Sequence, residues 1–377
     1  MKEDKGLCPH VWQSLDISSQ REIKPCCLYH ETIADNISDY LKSPKLAKLK
    51  SDFRNGKKPP GCQICWDYED SGKISKRQND LRYSFNGEIE SDKVRHIGLT
   101  FGNSCNLACR ICSSYNSTAW IKEERKLNDA SIKIYGHHKF YQDSKFIDDL
   151  KDISTDLTDI HIAGGEPFLA GVDEHLDYLD YLTAHGSENI DLHYNTNGSV
   201  FPDKRFWRKF DRFKKIHLQL SIDATHEQFN YIRWPGDWND VLGNIKAYKE
   251  KSIEHPNLEV TIGCVINIMN VYYFPEFCIW CLQNGFSRPW TILLESPGYH
   301  SIQALPRKIK EEVTKKLRTY KFDEIINYMN RLDLEDMFPK FLEYTRRLDK
   351  QREQDFSKTF PEFYQIIKDH DEATIAG

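Results

Sequence analysis

Residues 99–112 read LTFGNSCNLACRIC, which places Cys105, Cys109 and Cys112 in a C-x3-C-x2-C spacing just after an apolar run that reads as a strand. Three thiolates this close, on a loop leaving a strand, suit an iron–sulfur cluster better than zinc. Structural zinc takes four protein ligands, and no fourth Cys or His lies nearby in sequence. Three ligands on a four-iron cluster leave one iron open to another molecule.

The next apolar stretch, 159–163, runs into Gly164-Gly165-Glu166-Pro167. Glycines at a strand's end let a ligand approach the backbone, and the Glu adds an acceptor. The cysteine spacing followed by this GGEP segment resembles the radical SAM superfamily. Asn106 fits that pattern, while Ile111 stands where an aromatic residue is usual. The resemblance implies that the open iron chelates S-adenosylmethionine (SAM), whose reductive cleavage releases a 5′-deoxyadenosyl radical. It also implies that Gly164, Gly165 and Glu166 receive the SAM amino group. Ser221 and Asp223 then bind ribose or carboxylate, Arg233 the carboxylate, Asn197 lines the pocket, and Val265 and Asn267 border adenine.

Short β-rich runs at 94–101, 159–163, 190–195, 215–222, 258–267 and 290–294 alternate with helical stretches. That alternation predicts βαβ units and an α/β fold on a parallel sheet. Periodicity leaves a doubly wound sheet open, and the resemblance implies a partial (β/α)6 TIM-like barrel. Alternation along the strands puts His217 and Gln219 on the face of Ser221, with His161 and His193 on the matching face of their own strands. These four side chains predict a polar lumen that holds a polar substrate. A closed barrel core would carry Val, Ile and Leu there instead.

Residues 1–92 hold a possible hairpin (Val11–Ile17, then Ile23–Cys27) and Cys8, Cys26, Cys27, Cys62 and Cys65. The segments CPHVWQSLDISSQREIKPCC (8–27) and GCQICW (61–66) resemble the auxiliary-cluster domain called twitch, a relative of SPASM, placed before the barrel instead of after it. The resemblance implies a second [4Fe–4S] cluster on Cys8, Cys26, Cys62 and Cys65, with Cys27 the alternative to its neighbour. A zinc site is the competing reading of the C-x2-C pair. The resulting division is 1–92 for the auxiliary-cluster domain, 93–300 for the radical SAM core and 301–377 for a helical C-terminal region. Cys264, Cys278 and Cys281 read as core packing, as do Trp234, Trp238, Trp280 and Trp290.

With 377 residues, 39% hydrophobic and 29% charged, the composition suits a soluble globular protein. The net charge of −5 indicates no nucleic-acid partner. No apolar run reaches the roughly 18 residues of a membrane helix, and MKEDKGLCPH has no secretory h-region. Eleven cysteines without a signal point to metal or redox chemistry in a reducing cytoplasm. The function expected is a radical SAM oxidoreductase or maturase, supplied by a donor such as flavodoxin or ferredoxin and acting on a ribosomally made peptide. No separate leader-binding segment is evident, which keeps a small polar metabolite (sugar, amino acid or nucleotide) as the alternative substrate. A non-catalytic zinc protein is the third reading.

Overall fold

The computed structural model describes residues 6–70, 72, 74–83, 89–169 and 171–375. Eight strands form one sheet: β1 (Ser14–Ile17), β2 (Ile23–Lys24), β3 (His96–Leu99), β4 (Asp159–Ile162), β5 (Asp191–Thr196), β6 (Lys215–Ser221), β7 (Leu258–Ile266) and β8 (Trp290–Leu293). Their order is β2-β1-β3-β4-β5-β6-β7-β8. Strands β3 to β8 match the six expected from the sequence and run parallel in chain order.

The N-terminal hairpin is real but shorter than expected, because Pro9 starts a helix over Pro9–Gln13 that takes up Val11. β1 and β2 pair antiparallel, and β1 then lies parallel to β3, with Leu15 opposite Ile97. The N-terminal segment therefore extends the sheet beyond six strands.

The central strands have one apolar and one polar face. In β6, Ile216, Leu218 and Leu220 are fully buried, while Lys215, His217, Gln219 and Ser221 are only half-buried. The buried face of the sheet packs against helices such as Val172–Ala184 and Lys204–Phe210, which contribute Leu176, Leu179 and Phe206 to one continuous core. Each buried Leu or Ile contributes about 2 kcal/mol by removal from water. The polar face lines a single cavity touched by β1 and by β3 to β8, so the sheet curls around it. A parallel sheet in a closed fold is apolar on both faces. Here the inner face stays wet, as His161 illustrates by its exposure.

Helices Arg307–Thr319, Asp323–Met329, Phe338–Arg352 and Pro361–Ile375 make the C-terminal region helical, as expected. Among the described residues no helix is long and apolar enough to cross a membrane.

Candidate active site

The three cysteines of residues 105–112 lie on the loop after β3. That loop is laced by backbone bonds to the segment carrying Arg233: Ala108 N–H donates to the Trp234 carbonyl (2.6 Å) and Arg110 N–H to the Ile232 carbonyl (2.8 Å). Amide donors face the sulfur of Cys105, from Leu107 N–H (3.5 Å) and from the Asn197 side chain (3.8 Å). Burial pushes the Cys105 thiol up to about 12 and raises Cys109 and Cys112 as well. Thiols in such a place ionise only against a cation, and the side chains of Arg233 and Arg352 oppose the effect at Cys109. Three half-buried cysteines, with N–H donors at Cys105 and cations near Cys109, fit an iron–sulfur cluster.

The GGEP turn sits beside this loop. Gly164 and Gly165 both have positive φ, 76° and 55°. A Cβ at Gly165 would lie 2.3 Å from the Ser104 carbonyl oxygen, and one at Gly164 2.3 Å from Thr100 Cγ2. Only glycine fits at either position. Glu166 is fully buried. Its carboxylate accepts from the Thr196 hydroxyl (2.8 Å), Asn197 N–H (2.8 Å) and Phe168 N–H (3.3 Å). It clamps the end of β4 to that of β5, and burial pushes it up to about 7. Asn197 also donates to Asn106 Oδ1 at 3.0 Å, tying β5 to the cysteine loop.

Asp223 and Arg233 form a buried pair, with Nε and Nη2 at 2.9 and 2.8 Å from Oδ2. Asp223 Oδ1 also accepts from Val265 N–H at 2.8 Å. Asn267 is fully buried and shapes the turn after β7, donating to the Val265 carbonyl and accepting from Met269 N–H. Ser221 stays half-buried at the end of β6.

The polar cavity brings His161, His193, His217 and Gln219 together with Asn195, Asp159 and Thr261. His161, His193 and His217 share one register across β4, β5 and β6. The His193 and His217 rings stack at 4.2 Å. Burial works against ionisation of Asp159, but hydrogen bonds from His193 and His96 hold its carboxyl well below the usual range. Burial and the neighbouring His193 push His217 down to about 4. The sequence did not reveal the far wall, which is made of His10, Asp16, Cys27, Lys76 and Asp80. There Asp80 accepts from Lys76 (2.6 Å) and bonds His10 Nε2 (2.7 Å). Trp290, expected to pack, is instead 68% exposed and forms the rim with Ile292, because β8 is an edge strand. Trp238, Cys264, Cys278 and Cys281 are buried, as expected.

Cys8, Cys26, Cys62 and Cys65 line a second, small cavity together with Tyr29, Phe53 and Arg77. Burial pushes Cys8 and Cys62 up to about 12 and raises Cys26 and Cys65. Cys27 is absent from that lining and faces the polar cavity. His10, Cys26 and Lys76 line both cavities. Among the described residues, no three His, Cys, Asp or Glu side chains converge as they would around one metal ion.

Residues 99–276 match the radical SAM superfamily, so that segment is a radical SAM domain. Over 164 residues it is 24% identical to the cysteine-type anaerobic sulfatase-maturating enzyme of Clostridium novyi (strain NT), which covers 42% of this chain and 41% of that protein. Among solved structures, anSMEcpe with bound AdoMet is 18% identical over 61% of each chain, with a TM-score of 0.43. Streptococcus suis SuiB bound to S-adenosylmethionine is 15% identical over 70% of this chain and 61% of that chain, with a TM-score of 0.39. The chain thus spans less than two thirds of the length of each of these proteins.

Proposed function

We propose that this protein modifies a ribosomally made peptide held in the polar lumen, with one [4Fe–4S] cluster and SAM at the ends of the strands and a second [4Fe–4S] cluster beside the lumen for electron transfer. The observation that carries the reading is the shared wall: His10, Cys26 and Lys76 border both the lumen and the four-thiol cavity. Cys105, Cys109 and Cys112 would hold the first cluster. Cys8, Cys26, Cys62 and Cys65 would hold the second, and a four-iron cube separates its thiolates further than a single zinc ion does.

When bound, the first cluster and SAM supply the one-electron cleavage that yields a hydrogen-abstracting 5′-deoxyadenosyl radical. Around them the chain orients and shields. Gly164 and Gly165 open the backbone to the SAM methionine, with Glu166 holding that turn in place. Asp223 and Arg233 balance charge beside Cys109, while Asn197, Ser221, Val265 and Asn267 shape the rest of the pocket. His161, His193, His217 and Gln219 position the substrate. The division into 1–92, 93–300 and 301–377 assigns the second cluster, the radical chemistry and the supporting helices in that order. A flavodoxin or ferredoxin in the cytoplasm would supply the electron. The peptide reading draws on the relation to an enzyme named for maturing a sulfatase, and on the exposed Trp290 and Ile292 at the rim, a lip suited to a chain entering from solvent.

The test is anaerobic reconstitution with iron and sulfide counting, on wild type and on a Cys105/Cys109/Cys112→Ala variant, with SAM and dithionite added. We expect about eight irons in wild type and about four in the variant, with 5′-deoxyadenosine from wild type only. Zinc in place of iron, without SAM cleavage, overturns the reading. Candidate precursor peptides should accelerate 5′-deoxyadenosine formation; acceleration by small polar metabolites alone replaces the peptide with the alternative substrate.

A further inference from the structure

The last residue of helix Phe338–Arg352 reaches back across the molecule to the cysteine loop. Arg352 donates from Nη2 to the Ala108 carbonyl at 2.8 Å, so its guanidinium lies against the peptide unit whose N–H belongs to Cys109. Its Nε and Nη2 also bond Glu123 Oε2, at 2.7 and 2.5 Å. The guanidinium carbon sits 4.8 Å from the Trp120 ring and 5.9 Å from the Trp234 ring. Trp120 in turn donates from Nε1 to the Cys109 carbonyl at 2.9 Å. The Arg352 side chain is 1% exposed, and among the described residues its Nη1 has no hydrogen-bond partner.

A buried N–H without an acceptor costs about 1–3 kcal/mol, so such a group in a built site points to an acceptor that is not part of the protein. The surroundings are also too specific for a simple surface clamp. A guanidinium near two indole rings, a carboxylate and a carbonyl one residue from a thiol define where the charge sits. Arg110, the other buried arginine of the loop, has its own counterion in Asp349. Among the described residues, the carboxylate paired with Arg352 is Glu123, whose side chain is 16% exposed.

We propose that Arg352 is a positioning residue for the SAM-binding cluster. Held by Glu123 against the Ala108–Cys109 peptide, it supplies a buried positive charge and an N–H donor that raise the potential at which that cluster accepts its electron. The inference rests on the reading that Cys105, Cys109 and Cys112 hold a cluster. Reduction adds negative charge at a site of low dielectric, where a fixed cation favours the reduced form and a fixed anion opposes it. Arg352 and Glu123 therefore act in opposite directions, and their pairing sets the net effect.

The experiment is an EPR-monitored redox titration of the full-length, reconstituted protein. The cluster whose signal responds to added SAM is followed in wild type, Arg352→Gln, Arg352→Lys and Glu123→Gln. Iron content is measured on every sample. Arg352→Gln should move the potential of the SAM-responsive cluster to more negative values, and Glu123→Gln should move it to more positive ones. Arg352→Lys should stay near wild type, and the potential of the other cluster should stay constant throughout. A purely structural clamp would lower iron content in both substitutions and shift no potential, or shift both the same way; either result overturns the inference. If Arg352→Gln fails to retain iron, the opposite shift in Glu123→Gln and the near-wild-type value in Arg352→Lys still decide. Wild type without a SAM-responsive signal would overturn the underlying cluster reading instead, so the two failures are distinguishable.

Discussion

Cys26 and Cys27 show how much one residue decides. The two sit side by side in the turn after β2, where Tyr29 N–H donates to the Cys26 carbonyl at 3.1 Å. Cys26 borders both the four-thiol cavity and the lumen, whereas Cys27 borders the lumen alone. Cys26→Ser should therefore lose about half of the iron in the reconstituted protein, whereas Cys27→Ser should keep the full count, both read by iron and sulfide assay. The resemblance already favoured Cys26, but it left its neighbour open, because adjacency alone does not say which side faces the other thiols. Glu166 is the opposite case. Its place in GGEP was legible, yet its burial between β4 and β5 was not, since the donors on it come from Thr196 and Asn197, a whole βα unit later in the chain.

Among elements, the helix Phe338–Arg352 lies in a region that read as helical, while its partner in the fold was not visible. Asp349 takes Arg110, accepts from the Tyr231 hydroxyl at 2.7 Å and from Phe356 N–H at 2.8 Å, and so fastens the tail to the cysteine loop. Arg110 also lies 3.6 Å from the centroid of the Tyr231 ring. Removing the carboxylate leaves a buried guanidinium without its counterion. Asp349→Ala should cost about 3 kcal/mol in anaerobic urea unfolding and release iron more readily. Asp349→Asn, which keeps an acceptor, should cost less. Equal stability in all three proteins would mean that the tail does not hold the loop. The strands present the reverse situation: the six parallel ones were legible from alternation, and β1 joined them only because Leu15 and Ile17 pair beside Ile97 and Leu99.

At the scale of the whole molecule, the protein folds around several histidines kept neutral. Burial pushes His175 down to about 3, and burial with the nearby His193 pushes His217 down to about 4. Unfolded histidine titrates near 6.5, so these groups take up protons on unfolding below that value. Their contribution to stability is present above about pH 6.5 and is lost as the pH falls toward 4. His175 is fully buried under the GGEP turn, bonding Tyr194 Oη at 2.8 Å. Urea midpoints measured between pH 7.5 and 4.5 should fall with decreasing pH, and His175→Gln should flatten the slope by up to one proton, about 1.4 kcal/mol per pH unit. An unchanged slope in the variant would show that His175 takes no part in it.

The sequence by itself determined the parallel α/β architecture, the cysteine triad with its GGEP partner, the second set of cysteines and the polar face of the strands. All of these are written in local spacing and in the two-residue period of a strand, which do not depend on what the chain meets elsewhere. Only the tertiary structure decided that β1 lengthens the sheet, that the four-thiol cavity shares a wall with the lumen, that Trp290 stands at the rim, and that Arg352 and Asp349 close on the cysteine loop. Each of these is a contact between segments far apart in the chain. The residue types that make it, an arginine on a helix or a tryptophan in a strand, are equally at home on a surface or in a core. Their partners are chosen by how the sheet curls and where the last helices come to rest, and neither is encoded in any one stretch of residues.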